Sequence, residues 1–442
     1  MENEVVRQAK YIEELTYDML PEEVIEHAKL IILDSIGVIA FGNSQMHNSG
    51  ILSGAYPLIG SSVCGDKLSA VFMNGVAMVK NELDEGNQFA FGHPACHIIP
   101  ALLMEAKALN STPKEVITAL VAAYETACRW GMAVTIRPES HVHGTSQTMG
   151  AAAAVASLRK LKAEEIEKAI ALANSLPQTT TWNAAFYGNQ VRNAYIGLSN
   201  CIGMSAVDMV EAGIDTSYEV LEDVWNNIAG CYVNYTSLIK NLGTEYLIMK
   251  NYFKVHSACR YVHAFADMYE KLKDVSYQDI ERIDIETYSS ALKLNKTRAY
   301  NLFAAKFSIP VSVAIYIVYG SLDAKMLTED MLSDTKVCDL ADKITVRENI
   351  NYTRLLPAIR NNHMVIYMKD GSIREAVSSS TKGDYIEPFS QKEMEKKFCG
   401  LTSDIWSRDR QNKIIAYMTH FELQENLKDL YTLIGKDGDG SC

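Results

Sequence analysis

The chain lacks a long apolar run, a paired-cysteine motif, a glycine-rich phosphate signature and an excess of positive charge, and each lack removes a class of function. Its longest apolar stretch, Leu30 to Phe41, is interrupted by Asp34 and falls short of the roughly 20 residues a membrane-spanning helix needs. The N-terminus, MENEVVRQAK, is acidic and polar, unlike a secretory leader. Nine cysteines are scattered from Cys64 to Cys442 with no C-x-x-C, which argues against a zinc ribbon and for reduced thiols in a cytoplasmic protein. Neither G-x-S-x-G nor H-E-x-x-H occurs, so nucleophilic hydrolysis and zincin chemistry lose their usual signatures. A formal charge of −12 repels nucleic acid and anionic membrane, and neither is expected as a partner. A small anionic substrate stays compatible, provided the site gathers its own cations.

What is present is a foldable, mainly helical chain. With 442 residues, 48% hydrophobic and 22% charged, it exceeds one ordinary core, and two domains are the natural expectation. Residues up to 265 read as successive helices. Pro21 with two following glutamates opens one that runs to Gly42, and Ser69 to Leu83 and His93 to Ala108 follow. Thr112-Pro113-Lys114-Glu115 is a capping box with proline at the first helical position, starting a helix through Met132. The alanine run from Ala151 predicts a buried helix that neighbours approach closely, and Arg192 to Gly213 has small residues at similar spacings. Beyond Lys273 the pattern changes. Arg282–Ser289, Ile344–Arg347, His363–Met368 and Ile373–Ser378 alternate as strands, the last two flanking a Lys369-Asp370-Gly371 turn. Leu302 to Tyr319 reads as a helix interrupted at Pro310, and helices return from Gln391 to the polar tail GKDGDGSC.

The chemistry concentrates in three polar loops. NELDEGNQFAFGHPACHIIP, from Asn81, brings Glu82, Asp84, Glu85 and Gln88 close to His93 and His97. SHVHGTSQTMG adds His141 and His143, and NYFKVHSACRYVH adds Lys254, His256, Arg260 and His263. Any one histidine is more often structural than catalytic, but three such loops in one helical region fit an acid–base site assembled from several helix ends. Proton removal beside a carboxylate needs a base and fixed cations. Histidine supplies the base or acid, Asp84 can set its tautomer, and Lys254, Arg192 and Arg260 can supply charge. A metal site using His93 and His97 at helical spacing is the rival, and Pro94 weakens its geometry.

These stretches resemble the MmgE/PrpD superfamily of 2-methylcitrate dehydratases, cis-aconitate decarboxylases and an iminodisuccinate epimerase. The resemblance rests on LDSIGVIAFG (33–42), MNGVAMVKNELDEGNQFAFGHPACHIIPALL (73–103), HVHGTSQTMGAAAAVASLRKL (141–161), RNAYIG (192–197), KVHSACRYVH (254–263) and AKFSIPVSVA (305–314). It implies a large helical domain built from both chain ends (1–268 and 395–442), an inserted α+β lid (269–394), a homodimer and a site without cofactor or metal. It also implies that Asp84, His93 and His141 are the acid–base residues and Lys254 a site lysine. Arg192 stands where some members have another lysine, and Gln88 near a threonine of decarboxylating relatives. His143 stands at a frequent threonine, and Cys259 at a histidine of the decarboxylase. Gln88, His143, Cys259, Arg260 and His263 are thereby expected to join Arg192 and Lys254 in binding substrate. For a lid tyrosine, Tyr288 and Tyr300 both qualify. The expected activity is that of a lyase on a small polycarboxylate, first a dehydratase, with epimerisation or decarboxylation as near alternatives. A dimeric binding scaffold without catalysis is the alternative of another class.

Overall fold

The computed structural model describes residues 3–47, 50–272 and 275–435. Lys273 and most of the polar tail lie outside them. The fold is mainly helical, with one four-stranded sheet and three two-stranded ribbons among the described residues. No helix among these residues is long and apolar enough to cross a membrane.

Small residues decide how the helices stack. A Cβ added to Gly42, in the Glu22–Asn43 helix, would lie 2.0 Å from the Ala77 carbonyl oxygen in the Lys67–Val79 helix. One on Gly75 would lie 2.9 Å from the Gly197 Cα in the Val191–Glu211 helix, and one on Gly203 2.5 Å from the Ala151 Cβ in the Met149–Leu158 helix. The alanine-rich helix is almost wholly buried, as its composition predicts. Backbone-to-backbone packing of this kind brings the end of Lys67–Val79 beside the start of Val191–Glu211, where Arg192 Nη1 donates to the Val79 carbonyl at 3.2 Å. The polar loops at these helix ends therefore share one region.

The C-terminal segment returns to the first helices. In the Gln391–Thr402 helix, Phe398 packs on Gly37, and Lys397 Nζ sits 2.7 Å from Asp34 and donates to the Leu83 carbonyl at 3.2 Å. Phe398 and Leu83 belong to one apolar core with the N-terminal helices. A second core joins the Arg260–Lys271 and Ile309–Tyr319 helices to the buried face of the sheet. That sheet is ordered Ile373–Ser378, Asn362–Met368, Ile280–Thr287, Ile344–Glu348, antiparallel except for the last pair. Ile283, Ile285, Met364 and Ile366 face inward, the period-2 pattern the sequence predicts.

Two expectations need correction. The helix expected from His93 begins later: Ala95–His97 forms a single 3₁₀ turn and the α-helix is Ile99–Leu109. Pro94 and Pro100 supply no amide donors, so the chain enters that helix in steps, and His93 and His97 share no helical face. Cys64 is disulfide-bonded, whereas Cys96, Cys128, Cys201, Cys231, Cys259, Cys338 and Cys399 are free thiols. Sequence spacing does not report which cysteines are near in space, so the absence of C-x-x-C did not exclude a bond there.

Gly42→Ala is expected to destabilise the protein by about 1–3 kcal/mol or more, because the backbone must move to admit a methyl group. Gly400→Ala is the control: its Cβ meets nothing within 4 Å inside the Gln391–Thr402 helix, and about 0.5–1 kcal/mol of stabilisation is expected. Chemical denaturation of both variants checks the contrast.

Candidate active site

The site starts from a strained turn. After Lys67–Val79 the chain reaches Glu82 at φ 54° and, beyond the acidic run, Phe91 at φ 50°, a left-handed conformation that costs a non-glycine residue roughly 1–2 kcal/mol. Gly86–Asn87 then pairs antiparallel with Asn251–Tyr252, so Lys254 is delivered beside the acidic turn. Gly86 is required there, because a Cβ would lie 2.3 Å from the Tyr252 hydroxyl.

Four buried charges lock this turn. Arg192 Nη2 lies 2.5 Å from Glu82 Oε1, while Lys254 Nζ lies 3.2 Å from Glu82 Oε2 and 3.3 Å from Asp84 Oδ1. Burial alone would depress Lys254, but Asp84 and Glu82 hold it above the ordinary lysine value. Burial likewise would raise Asp84, yet Lys254, His93 and Arg192 together hold it well below the usual carboxylate range. Asp84 is therefore ionised throughout the physiological range.

The remaining Asp84 oxygen sets the tautomer of His93. His93 Nδ1 is 2.7 Å from Asp84 Oδ2 and 2.7 Å from the Glu85 carbonyl oxygen. Both neighbours only accept, so Nδ1 carries the proton and Nε2 is left as a lone pair. His141 is arranged the opposite way. Its Nδ1 accepts from the His143 backbone N–H at 3.1 Å, which puts the proton on Nε2, a buried atom without a partner. Burial first, then Arg192 and His93, depress His141 well below its ordinary value, so the ring is neutral and its Nε2–H is a donor. His97 is structural: Nδ1 donates to the His93 carbonyl at 2.9 Å and Nε2 accepts from the Gly144 N–H at 3.2 Å.

His93 and His141 line the same cleft, with Arg192, Cys259 and Arg260 from the sequence expectation. Its other walls include Glu82, Phe91, Trp182, Tyr252, Tyr261, Phe307 and Arg360. The space is about 40 Å³, room for about one water, so a substrate with several carboxylates enters only if the walls part. A larger hollow of about 750 Å³, near Lys392, Trp406 and Arg408, is an open surface groove without a buried acid–base pair.

Other expected site residues lie elsewhere. Lys254 is fully buried behind Asp84 and lines no part of the cleft. Gln88 donates through Nε2 to the Pro357 and Ala358 carbonyls at 3.0 and 3.1 Å, so its amide is already engaged by backbone. His143 is sealed behind the cleft, its ring edge-to-face with His93 and His141 at 4.8 Å each. His263 faces its own helix start, with Nε2 at 3.2 Å from the Ala258 carbonyl, and its ring lies tilted against that of His256 with centroids 5.1 Å apart. The third histidine pair is thus separate from the first two. Burial pushes the Cys259 thiol up to about 11, which leaves it protonated and poorly nucleophilic. Tyr288 is buried against Tyr261, and Tyr300 is exposed beside Tyr187, so neither lines the cleft. Of the cleft residues that sequence reasoning did not single out, Glu82 was visible in the acidic run. Arg360 had no local signal, since it lies in a loop before a strand.

Asp84, His93 and His143 place ligand atoms within 4.8 Å of one another, a donor set a metal ion could use. A cation there would have to displace the Lys254 ammonium from Asp84 and remove the proton His93 donates to it. The charges already present fit a hydrogen-bonded acid–base group better than a metal centre.

A mainly helical protein with two oppositely oriented imidazoles and paired buried charges in one cleft is of the acid–base enzyme class. Residues 6–237 match the MmgE/PrpD N-terminal domain and residues 256–423 the MmgE/PrpD C-terminal domain. The chain belongs to the MmgE/PrpD family, and it is an enzyme of that family's lyase type. Curated relatives include cis-aconitate decarboxylase of Homo sapiens, 23% identical over 94% of this chain and 91% of that one. The Mus musculus enzyme of that name is 24% identical over 96% and 92%, and the Aspergillus terreus one 21% over 90% and 89%.

Glu85 provides a pH test of the site's framework. Its Oε1 accepts from the Ala95 N–H at 2.6 Å and its Oε2 from the Tyr124 hydroxyl at 2.9 Å. Burial nonetheless pushes it from 4.5 up to about 8. Because the folded state holds this proton to higher pH than the unfolded chain, its stabilising contribution is complete below about 4.5 and is lost as pH rises through about 8. Glu85→Gln keeps the shape and removes the titration. The variant's melting temperature relative to the parent is therefore expected to rise between about pH 5 and pH 9; a constant difference contradicts the assignment.

Proposed function

We propose that the chain removes water from a small hydroxylated polycarboxylate using its own side chains as acid and base. The observation that carries this reading is the pair of opposite tautomers on one cleft: His93 offers a lone pair, His141 a proton. His93 Nε2 takes the proton α to a carboxylate, and ionised Asp84 steadies the imidazolium that forms. The His141 Nε2–H hydrogen-bonds the departing hydroxyl oxygen. One C–H and one C–O bond break and a C=C bond forms; the departing hydroxide takes up the proton that His93 removed, so water leaves and His93 returns to neutral. The reading includes a homodimer, a cytoplasmic location and a lid formed by residues 269–394 that opens the small cleft.

A second reading, decarboxylation of cis-aconitate, is supported by the names of the curated relatives. There the cleft delivers one proton to the carbon that loses carbon dioxide, and no base is needed to begin. Incubation in deuterated buffer with methylcitrate, citrate, cis-aconitate and aspartate-derived acids separates the two. Dehydration predicts an unsaturated product and exchange at the α-carbon of a hydroxy acid. Carbon dioxide released from cis-aconitate alone moves the assignment to the decarboxylase reading, and reaction with none of the panel ends the polycarboxylate reading. His141→Gln is expected to lower kcat about 10²–10⁴-fold with little change in KM, and His93→Gln to lower it at least as far.

A further inference from the structure

Of the cations around the cleft, three are already engaged by carboxylates. Arg192 and Lys254 face Glu82 and Asp84, which leaves that side near neutrality. Arg260 pairs through Nη2 with Asp384, although its Nη1 is buried without a partner. Arg360 differs from all three. It lines the cleft, makes no ion pair among the described residues, and its Nη1 is buried with no hydrogen-bond partner. Its guanidinium lies over Tyr252 at 5.8 Å and over Tyr261 at 5.5 Å. Asp384 is near enough to favour its charge, but the Asp384 carboxylate is taken by Arg260 and by the Thr381 N–H at 2.8 Å. In this half-buried guanidinium the buried, unused Nη1 donor is costly until an anion arrives, and the fork matches a carboxylate.

The loop that carries Arg360 is tied on both sides of it. Gln88 holds the Pro357 and Ala358 carbonyls. On the other side Asn362 Nδ2 donates to the Arg360 carbonyl at 2.9 Å, and Asn362 Oδ1 accepts from the Thr287 hydroxyl at 2.7 Å. One tie comes from the His93 loop and the other from the sheet. The aim of Arg360 thus depends on both halves of the site.

We propose that Arg360 recognises a substrate carboxylate remote from the reacting carbon, and that Gln88 is the positioning residue that keeps it aimed into the cleft. This rests on the polycarboxylate reading above and deepens it: specificity for the number of carboxylates resides in Arg360, while chemistry resides in His93 and His141. Arg360→Gln is expected to raise KM for the turned-over acid about 10–100-fold, the range for a lost hydrogen bond to a charged group, while kcat changes little. Arg360→Lys should recover only part of that loss, because it restores charge without the fork. Gln88→Ala should raise KM in the same direction by less.

A binding measurement keeps the proposal independent of turnover. Citrate is expected to raise the melting temperature of the parent and not of Arg360→Gln. Without ligand, Arg360→Gln should melt no lower than the parent, whereas a merely structural arginine would leave the variant less stable. Parent activity with an unchanged KM in Arg360→Gln overturns this proposal and leaves the function standing. Equal stabilisation of parent and variant by citrate, or none in the parent, also overturns it. A parent that turns over none of the acids, yet is stabilised by citrate only when Arg360 is present, overturns the dehydratase reading and sustains the carboxylate site.

Discussion

The pairing of Glu82 with Arg192 and Lys254, shared by Asp84, is the constraint on which the site depends. Four ionised groups out of water are tolerable only because the charges cancel and each has partners. Removing one member strands the others, at roughly 3–5 kcal/mol for a buried pair. The quartet joins three places distant in sequence: the turn after one helix, the start of another, and the short strand before Lys254. It also holds Glu82 in its left-handed conformation. Packing through Gly42, Gly75 and Gly203 is its precondition, since thicker helices would set those ends apart.

From that lock follows the contrast between the histidines. Asp84, made strongly acidic by its cations, accepts from His93 Nδ1 and leaves Nε2 basic. His141, buried, without a carboxylate partner and close to Arg192, stays neutral and donates. Two rings of one residue type acquire different duties from their neighbours alone. Lys254, inferred from sequence to face the substrate, instead joins Arg192 in organising Glu82 and Asp84, while Arg192 and Arg260 also line the cleft; the positive charge without an ion pair among the described residues is Arg360, near Tyr252 and Tyr261. The closeness of the walls implies that binding and opening are coupled.

Helices and strands were legible where pattern is local. The capping box at Thr112, the alternation around Ile283 and Met364 and the interruption at Pro310 all appear where periodicity and proline placement put them. The helix expected from His93 was misjudged because two prolines break the entry into steps. The Asp84–His93 pair and the nearness of His141 followed from loop chemistry and family resemblance. Lys254, Gln88 and His263 were expected to bind substrate, but none of them lines the cleft, because which way each side chain turns is decided by tertiary partners: Glu82 for Lys254, backbone carbonyls for Gln88, its own helix start for His263. Arg360 was invisible because its role depends on a loop crossing from the sheet to the His93 segment, which no local pattern encodes.

The central claim is that the two cleft imidazoles hold their protons on opposite nitrogens. Neutron diffraction from crystals of the full chain exchanged into deuterium oxide observes this directly. The account predicts deuterium on His93 Nδ1, toward Asp84, and on His141 Nε2, toward the cleft, with the other nitrogen of each ring bare. Deuterium on His93 Nε2 with Nδ1 bare, or on His141 Nδ1 with Nε2 bare, would contradict it.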